Sequence, residues 1–189
     1  MSSILKVDTI QDSSGNNIIN ESSDTITIGA SGDTTNIVGT LQNNGASVGE
    51  TNTPSFRANP ASGTTVAHDT ATKIAFTTEV YDTDSAYDAS NSKFVVPADG
   101  AGRYFFVANL EYNITSATTS ARVQIRKNGS IALAKQGYNS YYDNNLVCGV
   151  LNLVAGDYIE VYGYQNSGGS TVTQTGTAST YFAGFKVEG

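Results

Sequence analysis

One cysteine and one histidine are all this chain of 189 residues offers of the side chains that most often build disulfides, transition-metal centres and proton relays. With Cys148 alone, an intrachain disulfide is excluded, and its place in the apolar run Asn145–Leu151 marks it as a small buried hydrophobe. The fold must therefore be held by burial and not by the bridges that staple small secreted domains. His68 stands in the polar stretch Ala67-His-Asp-Thr70 with no nucleophile-elbow sequence, so neither a histidine-rich metal site nor a serine triad is expected. Charge is scarce as well: 14% of residues are charged, ten Lys and Arg stand against 17 Asp and Glu, and the net charge is −7. A nucleic-acid binder needs a basic surface for phosphate contacts, so that class is set aside. The densest basic cluster, Arg122, Arg126 and Lys127, reads as a solvated strand edge, with Arg122 and Arg126 on one strand face. No run approaches the ~18 apolar residues needed to cross a bilayer, and the opening Met1–Lys6 lacks the apolar core of a secretory signal. Synthesis in a cytoplasm without membrane insertion is the expectation. No window carries a sustained helical period.

What is present is a succession of short apolar, aromatic and β-branched runs from Pro54 to Gly189, separated by Gly, Asn, Asp and Ser. That spacing is the pattern of an all-β sandwich. Strands are expected at 54–59, 73–80, 92–97, 102–112, 119–127, 131–138, 145–153, 157–165, 170–175 and 179–187. Several are apolar on both faces. Leu146, Cys148 and Val150 point one way while Val147 and Leu151 point the other; Ile159 and Val161 alternate with Tyr158, Tyr162 and Tyr164. A two-layer sandwich buries one face of each sheet, so the second apolar face requires a cover, and another copy of the chain is the simplest one. The stripe Tyr158, Tyr162 and Tyr164 is the candidate trimer interface.

Residues 1–53 differ in kind. They contain no aromatic residue and no proline, and isolated aliphatics punctuate a Ser, Thr, Asn and Gly background. So little apolar surface cannot offset the ordering entropy of a separate monomeric domain. The aliphatics alternate as strands do in Ser3–Ile10 and Asp24–Ile28, and three chains winding together would bury them on a common axis. The expected architecture is an attachment segment at 1–20, a β-rich stalk at 21–52 and an antiparallel jelly-roll head at 53–189, assembled as a homotrimer.

The order of residues in the head resembles the complement C1q and tumour-necrosis-factor-like superfamily of trimeric jelly rolls. The resemblance is carried by Pro54-Ser-Phe-Arg-Ala58, Lys73-Ile-Ala-Phe76, Tyr87-Asp88, Ser92-Lys-Phe-Val-Val-Pro97 with Gly102-Arg-Tyr-Phe-Phe106, Arg126-Lys-Asn-Gly129, Leu153-Val-Ala-Gly-Asp157 and Tyr181-Phe-Ala-Gly-Phe185. There is no collagen-like stalk, so complement activity is not implied. The opening Ser3–Gly15, followed by the Thr- and Asn-rich stretch, resembles the attachment ends of structural proteins of tailed bacteriophages, particularly those of marine bacteria. Together the two resemblances imply a virion protein exposed on the particle: a tail fibre or spike displaying a head for host-surface binding, or a capsid decoration or head-fibre protein. Ile4, Leu5, Val7 and Ile10 are the candidates for binding another virion component.

Chemistry is weighed on the same residues. Acid pairs such as Glu79 with Asp82, or Glu111 with Asp143, are the type a polysaccharide depolymerase needs, yet nothing singles them out, and no catalytic residue is assigned. Asp82, Asp84 and Asp88 could gather oxygen ligands for calcium, though the glycine and the closing glutamate of a calcium loop are missing and a solvated acidic loop is favoured. No cofactor is expected. The recognition candidates are Tyr138, Asn139, Tyr141, Tyr142 and Asp143, because tyrosine pairs a flat apolar face with a polar tip and Asn supplies adaptable hydrogen bonds to a host saccharide or protein. The same tyrosines would equally suit packing across a subunit boundary.

Overall fold

The computed structural model describes residues 9–11, 13–15, 17–22, 25–29, 32–39, 41–43, 46–47, 52–113, 119–139 and 144–188. The chain forms two units, Met1–Glu50 and Thr51–Gly189. Among the described residues there is no helix.

In the first unit β1 (Thr9–Gln11), β2 (Asn17–Ser22) and β3 (Thr25–Ile28) form an antiparallel meander, and β4 (Gln42–Asn43) pairs with β5 (Ala46–Ser47). Register places Ile10 opposite Ile19 and Ile19 opposite Ile28, so three isoleucines cross the sheet in one row on one face. All three remain exposed, as do Ile26 and, at 94%, Val38. A three-stranded sheet this small needs a hydrophobic layer against it to be stable. The described residues of the unit supply none of the buried core.

The second unit is a sandwich. Its strands are β6 (Ser55–Asn59), β7 (Thr65–Val66), β8 (Thr72–Lys73), β9 (Thr78–Asp82), β10 (Tyr87–Asp88), β11 (Lys93–Val95), β12 (Gly102–Glu111), β13 (Thr119–Lys127), β14 (Ser130–Asn139), β15 (Asn144–Leu153), β16 (Tyr158–Gln165), β17 (Thr171–Val172) and β18 (Tyr181–Glu188). One sheet runs β15-β12-β18-β6-β9; the other runs β10-β11-β16-β13-β14, with β8 added beside β16. Every pairing between these strands is antiparallel. The first strand of the unit, β6, lies against the last, β18, so the fold closes only when its two ends meet.

The inner faces follow from strict alternation. Tyr104, Phe106, Ala108 and Leu110 of β12, Ala121, Val123 and Ile125 of β13, and Ile159 and Val161 of β16 are all shut from solvent. At the centre Phe56 stacks on Tyr87 and Phe94 with ring centroids 4.8 and 5.2 Å away and meets the edge of Phe182 at 4.8 Å. Such aromatic pairs add ~0.5–1.5 kcal/mol each beyond their area. The tight connection between β13 and β14 is made by Asn128 and Gly129, whose φ of 50° and 80° give a two-residue turn with both residues left-handed, the twist a hairpin favours.

The run expected as one strand at 73–80 is divided. β8 ends at Lys73, Ile74 and Phe76 plunge into the core, and β9 begins at Thr78 on the other sheet. The alternating apolar pair is real, but it marks the chain crossing the interior, with the Phe76 amide donating to Ser92 Oγ at 3.0 Å in place of a ladder partner. The run expected at 170–175 shrinks to the two residues of β17, which pair with β7.

Candidate functional site

The sandwich presents two outward faces of different chemistry. On the five-stranded sheet the middle of the face opposite the core is apolar, with Arg103, Asn109 and Arg57 around it. Phe105 faces Val150 on one side and Phe185 on the other, and Val107 faces Cys148 and Ala183. The rings of Phe105 and Phe185 lie 5.5 Å apart. Leu146 is 45% exposed, Val150 52%, Phe185 38% and Val187 45%. Cys148, expected to be buried, is exposed beside them because it lies on the outward face of β15 opposite Val107. The surface is continuous over β15, β12 and β18, and its size comes from strand adjacency and not from any single run.

The outward face of the six-stranded sheet is built from tyrosines and cations. Arg122 pairs with Tyr164, Gln124 with Tyr162, and Glu160 lies between Arg126 and Lys93. Each tyrosine expected at a trimer interface sits under a cation: Lys93 Nζ lies 5.7 Å from the centroid of Tyr158, the Arg126 guanidinium 3.9 Å from Tyr162, and that of Arg122 4.8 Å from Tyr164. Such contacts contribute ~0.5–2 kcal/mol, more as water is excluded. Lys73 donates to Glu160 at 2.6 Å, and Arg126 donates through Nε and Nη2 to Gln124 Oε1. The Tyr164 hydroxyl donates to Asp69 at 2.8 Å, and that hydrogen bond to a carboxylate raises the phenol above its ordinary range. A shallow hollow of about 300 Å³ lined by Lys73, Ile74, Ser90 and Asn91 adjoins Lys73.

The remaining candidates fall elsewhere. Asp82 accepts from the amides of Ala86 and Tyr87 at 3.2 and 3.0 Å, bracing a turn in which Asp84 and Ser85 have positive φ. Asp88 accepts from the Asn91 side chain and amide, which lower its pKa. Among the described residues no three acidic, His or Cys side chains converge on a point where a metal could sit, so Asp82, Asp84 and Asp88 do not form the calcium group considered for them. The reason is local: two of these carboxylates are spent on their own loop. His68 accepts from the Gly168 amide through Nδ1 at 3.0 Å, and its Nε2 lies 3.4 Å from Asp69. Tyr138 and Asn139 end β14; their side chains, and all of Tyr141, Tyr142 and Asp143, lie outside the described residues. So do Ile4, Leu5 and Val7, whereas Ile10 belongs to the isoleucine row of β1. Glu79 is exposed on β9, and its supposed partner Asp82 is already engaged by backbone amides.

Two features escaped the reading of the chain by itself. Phe105 and Val107 alternate with core residues and could have been marked as a second apolar face. The pairing of Arg122 with Tyr164, 42 positions away, leaves no trace in a local pattern.

Two antiparallel sheets with β6 returned against β18 and an apolar outer face define a jelly roll of the tumour-necrosis-factor-like type. The C1q domain model matches residues 55–187, and the chain belongs to that family. C1q domains form homotrimers. The fold is similar to crystal structures of murine APRIL: the one at pH 5.0 has 17% identity and a TM-score of 0.55, covering 70% of this chain and 98% of that one. The murine APRIL structure at pH 8.0 has 17% identity and a TM-score of 0.51 over 70% and 98% of the two chains. The globular domain of zebrafish complement 1qA has 16% identity and a TM-score of 0.49, covering 71% and 98%. Among curated protein sequences none matches this chain.

Proposed function

We propose that the chain is a non-enzymatic, homotrimeric structural and adhesion protein of a tailed-phage particle, anchored through its first unit and presenting the C1q head to the host surface. The observation that carries the reading is the uncovered apolar surface present in both units: the isoleucine row of β1–β3, and the face of β15, β12 and β18. Burial between three copies would remove each from water. In the head, the face around Phe105, Val150 and Phe185 is assigned to the subunit contact in preference to Tyr158, Tyr162 and Tyr164, because those rings are already capped by cations that would have to be desolvated. The attachment-like sequence Ser3–Gly15 supports the phage setting.

Purified particles test the reading. The chain should be detected in them, with a label on its N-terminus at one type of vertex, collar or fibre base by electron microscopy. A tail position makes it a fibre or spike, and a shell position makes it a capsid decoration. Absence from the particles refutes both.

A further inference from the structure

The outer face of the six-stranded sheet concentrates cations on an acidic chain, with Asp88 and Glu160 on either side of Lys93 and Glu160 also opposite Arg126. Four of the ten Lys and Arg, namely Lys73, Lys93, Arg122 and Arg126, project from it. Glu160 pairs with Lys73. Among the described residues Lys93, Arg122 and Arg126 have no carboxylate within ion-pair distance, although 17 acidic residues were available to serve. Tyrosine rings hold them instead. A guanidinium lying over a ring uses its flat face, while its N–H donors lie in the plane and stay directed outward as a fork matched to carboxylate. Arg122 stacks on Tyr164, whose hydroxyl is anchored by Asp69; its Nε is shut from water, so only its terminal nitrogens are available to a ligand. Arg126 stacks on Tyr162 at 3.9 Å and spends its Nε and Nη2 side-on fork on Gln124, which fixes its plane and leaves the end-on pair of terminal nitrogens for a ligand.

We propose that this face binds a carboxylated polysaccharide, with Arg122 and Arg126 each receiving a carboxylate of the ligand. The two arginines are four residues apart on β13, hence about 13 Å at ~3.3 Å per residue, so they would meet charges repeated along a polymer and not both oxygens of one small acid. A nucleic acid is the poorer fit, since it brings one charge per ~1.7 Å to a chain of net charge −7. The assignment rests on the adhesion reading above and names the ligand class. In the trimer the face occurs three times, so a repeating polymer gains avidity.

The test uses the full chain and immobilised polygalacturonate, with neutral dextran and single-stranded DNA as comparison surfaces, at low and at 0.5 M salt. Wild type should bind polygalacturonate at low salt, lose it at high salt, and ignore dextran. Arg122→Gln with Arg126→Gln should weaken binding at least tenfold with trimer mass unchanged and unfolding still cooperative, at a melting temperature lowered by the lost ring contacts. Lys135→Gln, a charge loss on an exposed residue of β14, should leave binding intact. If the double variant misfolds, Arg122→Lys with Arg126→Lys keeps the charge and should still lose several-fold, because the fork is gone. The proposal is overturned if wild type does not bind polygalacturonate, if it binds dextran equally, if DNA binds and polygalacturonate does not, or if the Lys135 change costs as much as the arginine pair. Finding the chain missing from particles would remove the phage reading and leave this binding result standing.

Discussion

Placing one carboxylate on the apolar face of the five-stranded sheet separates a surface from an interface. Val150 stands in the middle of that face, opposite Phe105 and 52% exposed in a single head. On an isolated head Val150→Asp should cost about 1 kcal/mol, the span of strand preferences at a solvated position. Covered by another copy, the valine would gain about 1 kcal/mol from burying its remaining surface. The aspartate would instead be an unpaired buried charge, which costs several kcal/mol per ion. At ~3 kcal/mol for each of three copies the association constant falls by more than six decades. Light scattering behind size exclusion at micromolar concentration should report three times the 19.8 kDa chain for wild type and one times that mass for the variant. The variant should retain its β-sheet circular dichroism and a cooperative unfolding transition. Val172→Asp, at a comparably exposed valine on β17, should stay trimeric. A Val150→Asp chain that remains a trimer with an unchanged melting temperature refutes the assignment of this face.

Three further outcomes are expected. Gly184 lies where an added Cβ would stand 2.5 Å from the Phe106 ring and 3.0 Å from the Phe105 carbonyl, so Gly184→Ala should cost ~1–3 kcal/mol and lower the melting temperature by roughly 5 °C in a thermal scan. The Asp157 carboxyl is held at about 2, below its usual 3.8, chiefly by Lys127 at 2.7 Å and the Val154 amide, with Asn128 adding a further donor. A depressed pKa contributes stability that is complete above about pH 4 and lost as pH falls through 2, so the urea midpoint of wild type should drop over that window. Asp157→Asn should be less stable near pH 6 and converge with wild type near pH 2; parallel curves would contradict the linkage. Tyr141→Ala with Tyr142→Ala should reduce particle adsorption to cells and leave trimer mass unaltered, and dissociation of the double variant would assign those tyrosines to subunit packing.

Strand existence was legible in the chain because burial on one face imposes a period of two, and that signal is strong over Gly102–Glu111, Asn144–Leu153 and Tyr158–Gln165. The turn at Asn128 and Gly129 was legible too, since few residues other than these accept positive φ in succession. The same period is blind to what lies across a ladder. It showed that Tyr158, Tyr162 and Tyr164 leave the core, but pairing of β16 with β13 and β11 decided that cations would cover them. It paired Ile74 with Phe76 and could not tell a strand from a crossing of the interior, because both alternate. Sequence likewise counts the carboxylates of Asp82 and Asp88 without showing that the Ala86, Tyr87 and Asn91 amides donate to them. Local patterning thus determined which residues face inward. Tertiary structure alone decided which outward residues are neighbours, since that depends on strand order, and strand order is set by closing β6 against β18 across the whole head.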